Sequence, residues 1–216
     1  MDSQKRNIWL TFAAVVVFIA LVVGMFVNRI LTPRVLHNAE LKANGTYVLD
    51  KPRILEPFRL VDQDGQPFTN QDLEGKWSLV FFGFTFCPDV CPTTLAELRE
   101  FKNIMADSEF IEDPQVILAS VDPARDTPEQ LKQYLNYFDP EFVGITGDFM
   151  TLQVFANNVN AAFAKAPGQG ENYLVDHTAN VVIINPYGHY HGFFRAPLDP
   201  GRMKLTYQSV RMTFDG

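Results

Sequence analysis

Two cysteines, Cys87 and Cys91 in the segment CPDVCP, are the residues of this sequence best suited to chemistry. Their spacing places both near the first turn of a helix, where a small backbone adjustment decides whether the thiols can bridge. The partial positive charge of a helix N-terminus favours thiolate and predicts a lowered pKa for both. The pair is a candidate redox couple, metal clamp or structural disulfide. The first two are favoured, because a bridge that closes so short a loop stabilises a fold little.

The elements around the cysteines are predicted from apolar patterns. The uninterrupted run from Trp77 to Phe84 leads into CPDVCP and predicts a strand covered on both faces. Apolar residues then repeat at helical spacing, which predicts a helix that starts at Cys91 or just before it. Residues 115–122 predict a second buried strand, and a capping box at Thr127 opens the next helix. These elements form a βαβ unit.

Strand and helix patterns alternate along the rest of the chain. A hairpin is predicted in PFRLVDQDGQPFT, and a short strand, a helix and a loop over residues 166–176 follow the βαβ unit. A second hairpin turns at residues 186–188, and Asp199 caps a final helix. The order βαβαβαββα after an N-terminal hairpin predicts an α/β fold with a mixed central sheet and helices on both faces.

An uncharged segment, residues 8–27, is long enough to span the hydrocarbon core of a bilayer as a helix. It ends in MFVNRILTP, without a small-x-small cleavage site, so we predict an uncleaved anchor. The predicted organisation is a cytoplasmic tail over residues 1–7, a transmembrane anchor over 8–27, a linker over 28–50 and a folded domain over 51–216. The expected location is a bacterial inner membrane, with the domain facing the periplasm or cell exterior.

Composition and charge exclude several classes of protein. Hydrophobic residues make up 47% of the 216 residues, enough for a single folded core, so a disordered chain is excluded. The net charge is −7, and the first 34 residues carry four basic side chains against one acidic, so the remainder carries −10. Such an acidic domain repels phosphate backbones, and nucleic acid is not an expected partner.

Three motifs, CPDVCP, SVDPARDTPEQL and VDHTANVVIINPYG, follow one another behind the anchor. In these motifs, and from about Pro57 to the final helix, the sequence resembles the Sco/SenC family of membrane-anchored copper proteins that assist assembly of cytochrome c oxidase. The resemblance implies a thioredoxin-like fold that brings His177 to the cysteines, with copper, as Cu(I) or Cu(II), bound by Cys87, Cys91 and His177. The ligand types agree, because thiolates and an imidazole suit copper, whereas structural zinc favours a fourth protein ligand.

The function predicted from these features is that of a copper metallochaperone, with the copper-centre subunit of cytochrome c oxidase as its partner. Copper would pass to that subunit by ligand exchange, cysteine for cysteine. Two alternatives remain: a thiol-disulfide reductase in which Cys87 and Cys91 are the redox-active pair, and a redox or copper sensor. The CxxxC spacing, in place of the CxxC of oxidoreductases, favours metal binding over catalysis.

Further polar residues have secondary roles in this interpretation. Asp176 is the candidate to orient His177, although an adjacent residue can equally point away. His189 and His191 share a face of a strand and are expected to face solvent; on the ligand side they would form a second, weaker copper site. Phenylalanines near the cysteines are expected to form an apolar collar. A turn-stabilising charge cluster is predicted in VDPARDT, formed by Asp122, Arg125 and Asp126.

Overall fold

The structure of the protein is a computed structural model that describes residues 3–31, 34–106, 113–167 and 173–214. The chain divides into two compact units, Met1–Val35 and Leu36–Gly216. Parts of the predicted tail, linker and 166–176 loop lie outside the described residues, namely residues 1–2, 32–33 and 168–172.

The elements are numbered in chain order. The helices are α1 Ser3–Leu31, α2 Asn38–Ala43, α3 Val90–Ala106, α4 Pro128–Asn136, α5 Phe149–Asn158 and α6 Pro200–Met212. The strands are β1 Thr46–Ile54, β2 Arg59–Asp62, β3 Pro67–Thr69, β4 Ser78–Gly83, β5 Gln115–Ser120, β6 Val143–Thr146, β7 Phe163–Lys165, β8 Val175–His177, β9 Val181–Ile184 and β10 His189–Phe194.

The first unit contains one long apolar helix, α1. Its stretch Gln4–Arg29 has a mean hydropathy of 2.9 and is long and apolar enough to cross a membrane. The predicted anchor, residues 8–27, lies wholly within this helix. The apolar side chains of residues 8–27 are exposed on all sides of the helix, as expected of a helix that spans a membrane.

An eight-stranded mixed sheet forms the centre of the second unit, in the order β1-β10-β9-β4-β5-β6-β2-β3. Strand β4 pairs parallel with β5 and antiparallel with β9, and β5 pairs parallel with β6. All six residues of β4 are buried, as its apolar run predicts. The predicted mixed central sheet is confirmed, and its strand β4 leads directly to the cysteines.

Helices cover both faces of this sheet. The ring of Phe82 lies 5.7 Å from that of Phe155 on α5, so this side of β4 faces α5. The alternate residue Gly83 faces Cys91 on α3. Helix α6 packs beside α3, where the rings of Phe101 and Tyr207 are 5.6 Å apart. The flanking helices predicted from the alternating pattern are therefore present.

Part of the segment predicted as a linker, residues 28–50, is folded. It contains α2 and the beginning of β1, and β1 pairs antiparallel with β10 at the edge of the central sheet. This strand is not evident from its sequence, TYVLDKPRI, because the segment contains charged residues and Pro52. An edge strand tolerates both, since one of its sides has no strand partner.

Candidate metal centre

The loop between β4 and α3 carries the two cysteines. Cys87 lies in the loop, and Cys91 lies in the first turn of α3, which begins at Val90 as predicted. The backbone N–H of Cys91 donates to Cys87 Sγ at 3.4 Å, so the helix start holds the two thiols together. Both cysteines are free thiols rather than a disulfide.

Burial distinguishes the two thiols. Cys91 is fully buried, whereas Cys87 is half-buried. Helix α3 can approach β4 this closely only because residue 83 is glycine: a Cβ there would lie 3.0 Å from Cys91 Sγ and 2.8 Å from Phe81 Cε1. Gly83 was not predicted from the sequence motifs, and its position at the end of an apolar strand is the signal that could have revealed it.

The predicted lowering of both cysteine pKa values is wrong for Cys91. Burial raises the pKa of the Cys91 thiol, because the thiolate loses its hydration in the apolar interior. A backbone hydrogen bond at Phe84 acts in the opposite direction and is the weaker effect. In the metal-free protein Cys91 is therefore a thiol.

His177 reaches the cysteines from a separate small sheet. It is the last residue of β8, which pairs antiparallel with β7 and places His177 opposite Phe163. Its Nε2 lies 3.6 Å from Cys91 Sγ, and its Nδ1 lies 3.3 Å from the Thr178 carbonyl oxygen. An Nδ1–H that donates to this carbonyl leaves the Nε2 lone pair directed at the cysteines. Burial lowers the pKa of His177, which favours the neutral ring that binds metals.

The three side chains converge on one point. The ligand atoms of Cys87, Cys91 and His177 all lie within 4.8 Å of one another. No other group of three or more Cys, His, Asp or Glu side chains in the described part of the chain could hold a metal ion. The donor set of two sulfurs and one imidazole nitrogen fits a soft or borderline metal, and copper in particular.

Aromatic rings surround the imidazole. The rings of Phe81 and Phe84 lie nearly perpendicular to the His177 ring, with centroids 5.8 and 6.0 Å away. Both phenylalanines are buried, whereas Phe86, one residue before Cys87, is 52% exposed. Two rings of the expected apolar collar thus contact the histidine, and they limit the access of water to the buried side of the site.

Two expectations for other polar residues are corrected or settled by the structure. Asp176 is exposed and lies on the opposite side of β8 from His177, and the Thr178 carbonyl takes the place that Asp176 was a candidate to fill.

The predicted solvent exposure is wrong for His191, which is 8% exposed, with ring centroids 5.2 Å from Trp77 and 5.6 Å from Phe214. The Phe214 side chain, beyond the end of α6, covers this face.

The charged residues of VDPARDT do more than stabilise their own turn. The Asp126 carboxylate accepts hydrogen bonds from Thr85, two residues before Cys87. Asp122 and Arg125 contact Tyr173, four residues before His177. Thr85 and Tyr173 were not identified from the sequence, because each is recognised only through a contact with a distant part of the chain.

Comparison with known proteins gives consistent matches over the folded unit. The sequence model of the SCO1/SenC family matches residues 48–210. A SCO2-like protein of Rickettsia conorii is 31% identical over 191 residues, which are 88% of this chain and 92% of that protein. The crystal structure of Arabidopsis thaliana ScoI with copper bound has 32% identity and a TM-score of 0.65, covering 73% of this chain and 96% of that one. Yeast Sco1 with copper bound has 31% identity and a TM-score of 0.70, covering 76% and 91%. These matches confirm the predicted thioredoxin-like fold.

Proposed function

The chain belongs to the SCO1/SenC family, and on this premise we propose that it is a copper metallochaperone that assists assembly of the binuclear copper centre of cytochrome c oxidase. Copper is its cargo, and Cys87, Cys91 and His177 are the ligands. The observation that carries the proposal is the convergence of these three ligand atoms within 4.8 Å.

The chemistry of the donors supports copper over the common alternatives. Two thiolates hold Cu(I), and the imidazole nitrogen adds a ligand that Cu(II) prefers. A structural zinc site has four protein ligands, and the cluster offers three. Two relatives with copper bound, those of Arabidopsis thaliana and yeast, have the same fold as this chain.

The unequal burial of the ligands supports an order in which an acceptor protein replaces them during copper transfer. Cys87 and His177 are half-buried, so a ligand of an acceptor protein can approach the metal from their side. Cys91 is fully buried and keeps its bond to copper until the acceptor has replaced the other ligands. Copper is then never released to water, because each acceptor ligand binds before a donor ligand leaves.

The long apolar helix α1 is the membrane anchor in this proposal, with residues 1–7 in the cytoplasm. The segment after α1 connects it to the folded unit Leu36–Gly216. The location is a bacterial inner membrane, with the domain on the periplasmic or outer side.

Copper loading of the purified full chain in detergent tests the metal site. We expect one copper per chain and a thiolate-to-copper charge-transfer band. Cys87→Ser should lose stoichiometric copper, because no other cysteine can replace it. The matched control is His189→Ala, since His189 lies outside the ligand cluster. Full copper binding by Cys87→Ser is the result that overturns the proposed site.

A second experiment separates the chaperone from the thiol-disulfide reductase. Thiol exchange needs the two sulfurs and no imidazole ligand, so His177→Ala should keep any reductase activity of the purified chain. We expect cells with this variant to lose oxidase activity under copper limitation and to recover part of it on copper addition. Full oxidase activity in copper-limited His177→Ala cells would instead favour the reductase. A thermal unfolding curve checks that the variant is folded.

A further inference from the structure

The strand that carries His177 is not part of the central sheet. Strand β8 has three residues and, among the described strands, pairs with the equally short β7 alone, in a separate two-stranded sheet. Isolated two-stranded pairs are marginally stable in water, so this pairing alone is a weak support for a ligand. The position of His177 relative to Cys91 therefore depends on contacts that β8 makes with other segments.

One end of the loop after β5 is fixed to the segment that carries the cysteines. Asp126 is fully buried, and its carboxylate accepts from Thr85 Oγ1 at 2.6 Å and from the Thr85 backbone N–H at 3.2 Å. It also accepts from Ser120 Oγ at 2.7 Å. Thr85 lies two residues before Cys87, so these bonds join the loop to the start of the CPDVCP segment.

The other side of the same loop holds Tyr173, four residues before His177. Arg125 Nη2 donates to the Tyr173 carbonyl oxygen at 2.9 Å, and the Tyr173 hydroxyl donates to Asp122 Oδ1 at 2.6 Å. Arg125 Nε also donates to the Asp122 carboxylate. The guanidinium carbon lies 3.8 Å from the centroid of the Tyr173 ring. We call these three residues, Asp122, Arg125 and Tyr173, the Arg125 clasp.

The Arg125 clasp differs from an ordinary surface ion pair. The side chain of Asp122 is 4% exposed and that of Arg125 20%, so water screens their interaction less than that of exposed charges. The N–H groups at the edge of the guanidinium donate to two acceptors in different segments, the Asp122 carboxylate and the Tyr173 carbonyl, and its face packs against the Tyr173 ring. Its face also lies 4.9 Å from the ring centroid of Phe86, the neighbour of Cys87. A lysine ammonium, a point charge, cannot make all these contacts at once.

We propose that Arg125 is a positioning residue for the copper site, which holds Tyr173 and thereby keeps His177 beside Cys91. This inference rests on the proposed function, because it takes His177 as a copper ligand. The loop 122–126 contacts both the segment before Cys87 and the segment before His177. It sets the distance between two parts of the site that are remote in sequence.

Loss of the clasp should act mainly through the imidazole. In Arg125→Leu the Tyr173 carbonyl loses its donor. Strand β8 keeps its pairing with β7, the burial of Val175 and the contacts of His177 with Phe81 and Phe84. Supports of metal ligands contribute about 10- to 100-fold to metal affinity, and we expect a loss of that size for Cu(II). Cu(I) can remain on the two thiolates, so its affinity should fall less.

The experiment compares four variants of the full chain in detergent: Arg125→Leu, Arg125→Lys, Tyr173→Phe and the control Arg202→Leu. Arg202 forms an ion pair with Asp199 at 3.5 Å, with the same i,i+3 spacing as Asp122 and Arg125, on helix α6. The first readout is the nitrogen coupling in the electron paramagnetic resonance spectrum of the Cu(II)-loaded chain. The second is the NMR spectrum of the His177 ring in the copper-free chain, assigned by its loss in His177→Ala.

We expect Arg125→Leu and Arg125→Lys to weaken the nitrogen coupling and to shift or broaden the His177 ring signals. Tyr173→Phe, which loses only the hydroxyl bond to Asp122, should have an intermediate effect. Arg202→Leu should match the wild type. The inference is overturned if folded Arg125→Leu keeps both spectra, or if Arg125→Lys restores them fully, because charge pairing alone would then suffice.

Two further outcomes remain decisive. If circular dichroism shows that Arg125→Leu does not fold, Arg125→Lys decides, since it keeps the charge but cannot make all the contacts with Asp122 and with the Tyr173 carbonyl and ring. Wild-type spectra for Arg125→Lys overturn the inference. If the wild type binds no copper, the proposed function fails. The His177 ring signals of the copper-free chain still decide whether Arg125 positions that ring.

Discussion

Cys87 and Cys91 have the same chemistry but different surroundings. Cys91 packs under the backbone of Gly83, beside Phe81 and Leu118, whereas Cys87 is half-buried at the surface. A polar substitution is therefore tolerated differently at the two positions. The loss of stability on substitution of each cysteine depends on this burial rather than on the position of the cysteine in the CPDVCP motif.

Serine substitution measures this difference. Cys91→Ser buries a hydroxyl in an apolar contact and should lower the free energy of unfolding by about 1–3 kcal/mol. Cys87→Ser should change it by less than about 0.5 kcal/mol, because its side chain keeps contact with solvent. Urea unfolding of the copper-free chain, followed by the fluorescence of buried Trp77, gives both values. Equal losses in the two variants would contradict the assigned burial.

His191 gives the fold a dependence on pH that is independent of copper. Its burial between Trp77 and Phe214 lowers its pKa from 6.5 to about 4. Above pH 6.5 the His191 ring is neutral in both the folded and the unfolded chain, and the stability is fully present. As the pH falls from 6.5 toward 4, the unfolded chain binds a proton that the folded chain does not bind, so the free energy of unfolding decreases. Between pH 7.5 and 5 the expected loss is about 2 kcal/mol.

The test compares His191→Gln with the wild type over this pH range, with His189→Gln as a control on the same strand. Urea unfolding should show that the wild type and the control lose about 2 kcal/mol more stability than His191→Gln on acidification. Parallel pH profiles for all three proteins would show that His191 is not the responsible group.

At the scale of elements, the contact between β4 and α3 sets the depth of the metal site. A Cβ at position 83 would lie 2.8 Å from Phe81 Cε1 and 3.1 Å from Leu118 Cδ1, which are buried and cannot move freely. Gly83→Ala should therefore displace α3 and cost about 1–3 kcal/mol of stability. Because Cys91 moves with α3, we also expect weaker copper binding.

Gly201→Ala is the matched glycine control. Its Cβ would lie 3.4 Å from Asp199 Oδ1, an ordinary contact, and alanine favours the helix by up to about 1 kcal/mol. Thermal unfolding and copper titration of both variants provide the measurement. Wild-type stability and copper affinity in Gly83→Ala would rule out the close approach of α3 as the reason for glycine here.

The elements differ in how well the sequence predicts them. Strands β4 and β5 and helices α3 and α4 are long enough for apolar periodicity or an uninterrupted apolar run to be visible, and all four are present. Strands β7 and β8 have three residues each, too few for a period. His177 was expected directly after the 166–176 loop, at the start of the next strand. It instead ends β8, because pairing with β7 is a contact between segments rather than a local preference.

At the scale of the whole molecule, the site joins positions that no local pattern connects. Cys91 and His177 are 86 residues apart in sequence, and their side chains are 3.6 Å apart. The cysteine pair could be found from its spacing alone. The third ligand came only from the family resemblance, because a histidine near a strand is usually a satisfied polar residue. The Arg125 clasp escaped prediction for the same reason, since its partners become neighbours only after the sheet has formed.

The proposed topology can be tested on the whole chain, because both cysteines lie in the unit Leu36–Gly216 and α1 has none. If that unit is exported, a membrane-impermeant maleimide should label Cys87 in intact bacterial spheroplasts. Cys87→Ser should remain almost unlabelled until it is denatured, because Cys91 is fully buried. A reporter that is active only in the cytoplasm, fused after Gly216, should be silent. Labelling that requires lysis, together with an active reporter, would place the unit in the cytoplasm, away from the copper centre that it is proposed to serve.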